Sequence, residues 1–179
     1  MNSAIGMLEF NSIALGIETA DFMVKAAKVD LLRSSTVCPG KYIVIVGGEV
    51  SSVKSSMKTG LSRGEEGIID TLLIPNIHEK VPPAISLTSN IKKFGAIGVV
   101  EFYSIASAIK AADAAAKAAE VSLIEIRMGL AVGGKGFVTM TGQVADVQTA
   151  VKAATLNAPL LVHSVVIPRP SKAVIESLL

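Results

Sequence analysis

The sequence predicts an α+β protein made of two tandem ferredoxin-like units, each with the element order β-α-β-β-α-β. Two observations support this fold class. The first is an internal repeat: Ala4-Ile-Gly-Met-Leu-Glu-Phe-Asn-Ser-Ile-Ala returns as Ala96-Ile-Gly-Val-Val-Glu-Phe-Tyr-Ser-Ile-Ala, at a period of about 92 residues, which suits a small domain. The second is that apolar runs, helical patterns and turn residues follow one another in the same order in both copies.

Local signals place the elements of the first copy. Ser12 stands where it can cap a helix, Gly47-Gly48 is expected to end the third strand, and Gly64 to stop the second helix. Apolar residues at helical spacing mark the buried face of each helix: Ile13, Ile17, Ala20, Val24 and Ala27 in the first, and Val50, Val53, Met57 and Leu61 in the second. The predicted strands are residues 4–10, 29–37, 42–46 and 68–74, the last one ending at Pro75.

The second copy gives the same series of elements. Its strands are predicted at residues 96–102, 121–128, 137–141 and 160–167, and its helices at 104–119 and 144–154. We therefore predict a first domain at 1–81, a linker at 82–95 that begins with a proline pair, and a second domain at 96–179. The two helices cover one face of each sheet, so the other face must be solvated or covered. On the pattern alone, a two-domain monomer without further assembly is an alternative.

Composition excludes several classes of protein. Half of the residues are apolar, but no apolar run approaches the roughly 18 to 20 residues of a spanning helix, so no membrane is expected as a partner. The formal charge is +2 and no basic run with interleaved aromatics occurs, so no nucleic acid is expected either. No secretory signal is visible, and one cysteine fits a reducing cytosol.

Catalytic patterns are missing from the sequence, and we predict that the protein is not an enzyme. His78 and His163 lie in different repeats without ligand-like spacing to a second candidate ligand, so a structural role is expected for both. Glu9 and Glu101 occupy equivalent strand ends and are expected to bond to backbone or to a neighbouring subunit. The glycine-rich stretch 133–136 lacks the spacing of a phosphate-binding loop.

The only cysteine, Cys38, has no counterpart in the second repeat. It opens the turn Cys38-Pro39-Gly40-Lys41 between two predicted strands, whereas the equivalent loop of the second repeat, residues 129–135, is longer and has no thiol. A free cysteine is often a small buried hydrophobe. A turn containing proline and glycine, followed by lysine, instead favours exposure.

Four segments carry a resemblance to a known family: the opening Ala-Ile-Gly and Glu of each repeat, residues 21–30, Gly47-Gly48-Glu49-Val50, and Ile167-Pro168-Arg169-Pro170. They resemble the bacterial microcompartment shell proteins. Because the resemblance occurs in both repeats, the chain is identified as a member of the tandem-domain class of this family. Membership implies that three chains form a homotrimer, pseudohexagonal in outline, which packs edge to edge with other shell proteins in a microcompartment shell in the cytosol.

Within that class, residues 36–41 are most similar to the iron–sulfur shell proteins of propanediol-utilisation compartments. The resemblance implies one [4Fe–4S] cluster per trimer at the central pore, with Cys38 from each of three chains as ligand and the fourth iron left open. It places Pro39, Gly40, Gly133 and Gly134 in the pore loops. A cluster there would serve electron transfer across the shell or cluster delivery, with a redox enzyme or an electron carrier as partner.

The resemblance also implies that Lys25, Lys117 and Arg169 lie at the tile edge, although ordinary solvated charges would explain them equally. The first repeat departs from the pattern because Asn76 stands where the arginine is expected. Two alternative functions remain at this point. One is a shell protein whose pore gates metabolites without a cluster, and the other is a duplicated ferredoxin-like small-molecule sensor or enzyme.

Overall fold

The computed structural model describes residues 3–129 and 131–178 and comprises two compact units. The first is Met1–Pro82 together with Gly129–Gly134, and the second is Pro83–Met128 together with Lys135–Leu179. Among the described residues, none of the helices has the length and apolar character that crossing a membrane requires.

The first unit is a four-stranded antiparallel sheet with two helices, in the strand order β2-β3-β1-β4. A single 3₁₀ turn, Glu65–Gly67, precedes β4. The elements are β1 (Ser3–Phe10), α1 (Ile13–Ala26), β2 (Asp30–Val37), β3 (Lys41–Glu49), α2 (Val50–Arg63) and β4 (Ile68–Ile74), followed by a short helix, α3 (Val81–Ile85).

The second unit has the same architecture, with the strand order β6-β7-β5-β8. The order β-α-β-β-α-β in both units is the ferredoxin-like arrangement, and the predicted α+β fold class is confirmed. Its elements are β5 (Ala96–Phe102), α4 (Ile105–Ala118), β6 (Val121–Met128), β7 (Gly136–Gly142), α5 (Val144–Thr155), β8 (Leu161–Ile167) and α6 (Lys172–Ser177).

The core of the first unit lies between its sheet and its helices. Leu8 and Phe10 of β1 belong to one buried apolar cluster with Met23 of α1 and Met57 of α2. Because side chains alternate across a strand, Met7 faces the other side of the sheet, and it is buried as well. The face of the sheet that carries no helices was expected to be either solvated or covered. At Met7 in the first unit it is covered.

Serine caps begin the first helix of each unit, as the sequence predicts for Ser12. The Ser12 hydroxyl accepts a hydrogen bond from the amide of Leu15 (3.3 Å), and the Ser104 hydroxyl accepts one from the amide of Ser107 (3.2 Å). Each bond satisfies one of the amides that a helix start leaves without an intrahelical partner. The repeated sequence thus encodes the same helix start twice.

The expectation that Gly47-Gly48 ends the third strand was wrong, whereas Gly64 does follow the last residue of α2. Strand β3 continues through Gly47 to Glu49, and Gly47 pairs with Asp30 and Ile5. A Cβ at Gly47 would lie 2.9 Å from Cδ1 of Leu32, so this glycine allows close packing and does not end the strand.

The predicted buried faces of both helices are also partly wrong. In α1, Ile13 and Ile17 are exposed, and Thr19 and Met23 are buried instead. In α2 the difference lies near the end of the helix. Leu61 is exposed, and Gly60 is buried in its place. A Cβ at Gly60 would lie 2.6 Å from Leu8 and 2.7 Å from Met23, which shows how closely α2 approaches the core there. Helices α3 and α6 are further additions, since the sequence predicted neither, and α3 lies where a linker was expected.

Candidate functional site

Cys38 lies in the turn between β2 and β3 of the first unit. Its thiol is free and the residue is half-buried, whereas Pro39 and Gly40 after it are exposed. The Cys38–Pro39 peptide bond is cis, and Gly40 has a φ of +75°, a conformation that favours glycine. The turn therefore presents a partly accessible cysteine, unlike a cysteine of the core.

Gly129 and Gly134 of the longer second loop belong to the first unit and lie against this turn. The amide of Cys38 donates a hydrogen bond to the carbonyl oxygen of Gly129 (2.9 Å), and a Cβ at Gly134 would lie 2.7 Å from the carbonyl oxygen of Cys38. The structure thus brings Cys38, Pro39, Gly40 and Gly134 together. Gly133 is exposed, and a Cβ there or at Gly40 would meet no atom within 4 Å, so open space lies beside both glycines.

A lysine–glutamate ion pair follows the turn in each unit. Lys41, at the start of β3, donates to Glu9 of β1 at 2.8 Å, and Lys135, just before β7, donates to Glu101 of β5 at 2.9 Å. The side chain of Glu9 is only 7% exposed, whereas that of Glu101 is 32% exposed. The lysines are charged groups beside the candidate pore loops, and each is neutralised by its own carboxylate.

These pairs correct the expectation for Glu9 and Glu101, which were predicted to bond to backbone or to a neighbouring subunit. Sequence reasoning missed them because the longer second loop shifts Lys135 relative to Lys41 in the repeat alignment. The signal was nonetheless present, since a lysine follows the glycine of the turn in each copy.

The Glu101–Lys135 pair changes the pKa of its lysine. The pKa of Lys135 is raised above its usual 10.5, chiefly because its ammonium donates a hydrogen bond to the Glu101 carboxylate. The charge of Glu101 and the neighbouring Tyr103 act in the same direction, and burial acts against them. The ammonium nitrogen also lies 5.6 Å from the centre of the Tyr103 ring, within cation–π range.

A metal bound by one chain alone would need several ligands from that chain. Across residues 3–129 and 131–178, His, Cys, Asp and Glu side chains form no group of three or more that could hold a metal ion. Within these ranges, a single chain therefore offers one cysteine at the turn and no three-ligand group around it. An iron–sulfur cluster, normally held by several thiolates, fits these residues only if several chains each contribute Cys38; the open space beside Gly40 and Gly133 is compatible with that.

The candidate edge residues belong to other elements of the fold. Lys25 and Lys117 occupy the last turns of α1 and α4, and each is paired with the aspartate four residues earlier, at 2.5 Å with Asp21 and 2.6 Å with Asp113. Arg169 is exposed in the bend after β8.

The remaining polar candidates have ordinary positions. Asn76, which replaces the expected arginine of the first repeat, has a φ of +60° in the turn after β4. His78 accepts a hydrogen bond from the amide of Lys80 (3.2 Å), and His163 lies on β8 opposite Glu101. These contacts agree with the structural role expected for the histidines.

Comparison with known proteins identifies the family. The BMC domain matches residues 4–77 and again 96–170. The bacterial microcompartment shell protein PduT of Citrobacter freundii is 44% identical over 176 residues, which cover 97% of this chain and 96% of PduT. The carboxysome shell protein CcmK2 of Synechocystis is 31% identical over 100 residues, covering 52% of this chain and 97% of CcmK2. The chain therefore belongs to the BMC-domain family of bacterial microcompartment shell proteins, as a tandem repeat of that domain.

Solved structures agree. A microcompartment protein from Desulfitobacterium hafniense superimposes with a TM-score of 0.95 and 46% identity, covering 98% of this chain and 99% of that one. The fused permuted hexameric shell protein MSM0275 of the RMM microcompartment gives a TM-score of 0.58 at 20% identity, covering 85% and 81% of the two chains, and shows the shared fold alone. The chain is thus a structural protein of a microcompartment shell.

Proposed function

We propose that three copies of this chain close into a pseudohexagonal tile and that Cys38 from each copy ligates one [4Fe–4S] cluster at the tile's central pore. The observation that carries the proposal is that Cys38, half-buried and with a free thiol, lies in an exposed turn. Open space lies beside Gly40 of that turn and beside Gly133 of the second loop. A threefold axis brings the same residue of three chains to one place. Symmetry would thereby supply the ligands that one chain lacks.

The ligand count leaves one iron open. A [4Fe–4S] cluster usually takes four thiolates, and three chains with one cysteine each provide three. The fourth iron is left to water, a small ligand or a visiting partner. Bound there, the cluster would supply one-electron redox chemistry in the shell.

The chain's own residues position the sulfur. Pro39 has no amide hydrogen to donate, and the bond from the Cys38 amide to Gly129 ties the ligand residue to the second loop. Lys41 is neutralised by Glu9, so the turn carries little net charge of its own. The role of the cluster is electron transfer across the shell or delivery of the cluster, to a redox enzyme or an electron carrier.

The same tile is proposed to contact other shell proteins through Lys25, Lys117 and Arg169. Exposure of Lys25 and Arg169 at element ends supports this assignment. The relatives reported above are named as shell proteins, in agreement with the predicted structural, non-enzymatic role.

Metal analysis tests the cluster. Protein purified without oxygen should be brown, contain about four irons per three chains, and show the absorption and EPR signals of a [4Fe–4S] cluster on reduction. Cys38→Ser should be colourless and still trimeric. Wild-type protein that stays free of iron after anaerobic reconstitution would refute the cluster. It would favour the second candidate, a metabolite-gating pore lined by Cys38 and by the exposed Gly40 and Gly133.

A further inference from the structure

The outer side of helix α2 in the first unit carries cations and hydroxyl groups around a shallow depression. The depression measures about 420 Å³ and is lined by Ser55, Lys58, Thr59, Ser62 and Arg63. Because these positions recur at the three- and four-residue spacing of a helix, they form one stripe on its surface. We call this stripe the α2 basic face. Thr59 is half-buried, and the other four residues are exposed.

The charges of α2 all have one sign. Its sequence includes Lys54, Lys58 and Arg63 and no aspartate or glutamate. The ion pairs found within the described part of the chain involve none of these three cations. Helix α5, which occupies the equivalent place in the second repeat, carries Asp146 as well as Lys152. The fold therefore does not require an acid-free helix at this place, and the uniform positive charge is a feature of α2 itself.

The hydroxyl groups of the α2 basic face are available to a partner. In helix α5, Thr149 and Thr155 donate to carbonyl oxygens of their own helix, at 2.9 Å in each case. The hydrogen bonds found among the described residues include none from the side chains of Ser55, Thr59 or Ser62. These three hydroxyls can therefore donate to an acceptor that lies on the surface of the helix.

An aromatic ring holds Arg63 in position. The guanidinium carbon of Arg63 lies 4.4 Å from the centre of the Phe22 ring in α1, within cation–π range. A guanidinium group stacked on a ring keeps the N–H groups along its edge free, and their spacing matches the two oxygens of a carboxylate. The α2 basic face therefore includes one cation that is already oriented before a partner binds.

We propose that the α2 basic face docks an acidic helical segment of a partner protein. Lys58 and Arg63 are five residues apart, which corresponds to about 7.5 Å along the helix axis, and Thr59 and Ser62 lie between them in the sequence. Cations separated in this way favour a row of carboxylates over one small anion. Acidic side chains three or four residues apart on a partner helix lie about 5–6 Å from one another. Neighbouring carboxylates can therefore bind Lys58 and Arg63, with the hydroxyls between them.

The residues that follow α2 limit the length of the acidic segment. Glu65 and Glu66, in the 3₁₀ turn after the helix, are exposed and would repel carboxylates placed beyond Arg63. A partner that fits carries acidic residues over about two helical turns and a lysine or arginine next to them. Complementary charges of this kind give specificity. They also distinguish the face from a site for nucleic acid, whose backbone is uniformly negative.

A synthetic peptide tests the docking. The probe is an alanine-rich helix of about 20 residues that carries glutamates on one face over about two turns, followed by a lysine. Wild-type protein should bind it at low salt, as measured by fluorescence anisotropy, and the affinity should fall as salt is added. Lys58→Glu/Arg63→Glu should weaken binding about tenfold or more. The absence of binding to wild-type protein would overturn the inference.

The matched control variant makes the same change in net charge at another place. Lys110→Glu/Lys152→Glu reverses two exposed lysines, on α4 and α5, and binding should stay within about twofold of wild type. Circular dichroism should show that both double variants are folded, because all four side chains are exposed. An equal loss of binding in the two variants would mean that total charge alone decides, and it would overturn the assigned face.

Further probes separate the acidic segment from other anions. Replacing the lysine of the peptide by glutamate should weaken binding, because Glu65 and Glu66 would then face a like charge. Duplex DNA or inorganic phosphate that displaced the peptide as well as unlabelled peptide does, at the same concentration, would overturn the acidic segment as the occupant. None of these measurements depends on iron or on trimers, so a failure here is distinguishable from a failure of the proposed function.

Discussion

Gly134 and Cys38 lie so close together that a side chain on the glycine would collide with the backbone of the cysteine. A Cβ at Gly134 would stand 2.7 Å from the Cys38 carbonyl oxygen, and Gly134 has a φ of +80°. The glycine thus meets two requirements, a left-handed backbone and a close approach to Cys38. The longer loop of the second repeat supports the turn that carries the thiol.

Replacing Gly134 by alanine should therefore disturb the turn more than replacing Gly133. Both substitutions carry the left-handed conformational cost, about 1–2 kcal/mol, but only Gly134→Ala adds a clash with backbone, worth about a further 1–3 kcal/mol. Urea unfolding of the two variants measures the difference. Iron content after reconstitution should fall in Gly134→Ala and change little in Gly133→Ala. Equal behaviour of the two variants would show that the Gly134 contact does not support the turn.

The Glu9–Lys41 pair should matter more for stability than the equivalent Glu101–Lys135 pair. Glu9→Gln removes a carboxylate that is almost fully buried and weakens a charge-assisted hydrogen bond, at a cost of about 1.5–3 kcal/mol. Glu101→Gln affects a pair exposed to about a third on both sides, and a smaller loss of stability is expected because solvent screens the pair. Denaturant unfolding compares the two variants, and a larger loss for Glu101→Gln would contradict the difference in burial.

The sequence predicted elements well where the signal is local. Strand β4 was predicted with its observed bounds because an apolar run ends at a proline, and the Ser12 cap follows from a serine before a helical pattern. The strand β3 continues through Gly47 because Leu32 packs against that position, which is a tertiary contact without a local signature. Helix α3 was taken for linker because it contains Pro82-Pro83, although proline is tolerated in the first turn of a helix.

At the candidate site, too, local features could be predicted from the sequence and tertiary contacts could not. A turn at Cys38 could be predicted from Pro39 and Gly40, and the structure has it there. The hydrogen bond from Cys38 to Gly129 joins residues far apart in the chain and has no sequence signal.

Lys135 should titrate above the usual lysine value because of Glu101. A pKa that is higher in the folded chain than in the unfolded chain means that protonated Lys135 stabilises the fold below pH 10.5, and that this contribution is lost as pH rises through the folded-state pKa. An NMR titration of the Lys135 side chain should give a midpoint above 10.5 in wild type. Glu101→Gln should lower that midpoint, while Glu9→Gln, which alters the other pair, should leave it in place. A midpoint insensitive to Glu101→Gln would contradict the assigned cause.

Lys25 and Arg169 should be needed for sheets of tiles but not for the tile itself. Edge association depends on many weak, repeated contacts, so the loss of one contact per repeat is multiplied across the sheet. Electron microscopy of concentrated Lys25→Ala/Arg169→Ala protein should show no extended sheets, and native mass spectrometry should still show trimers. Asp21→Ala is the matched control, because it removes the ion pair within α1 and keeps the Lys25 ammonium. Sheets in the double variant would mean that the edge lies elsewhere. Loss of sheets in Asp21→Ala alone would mean that Lys25 acts through its own helix.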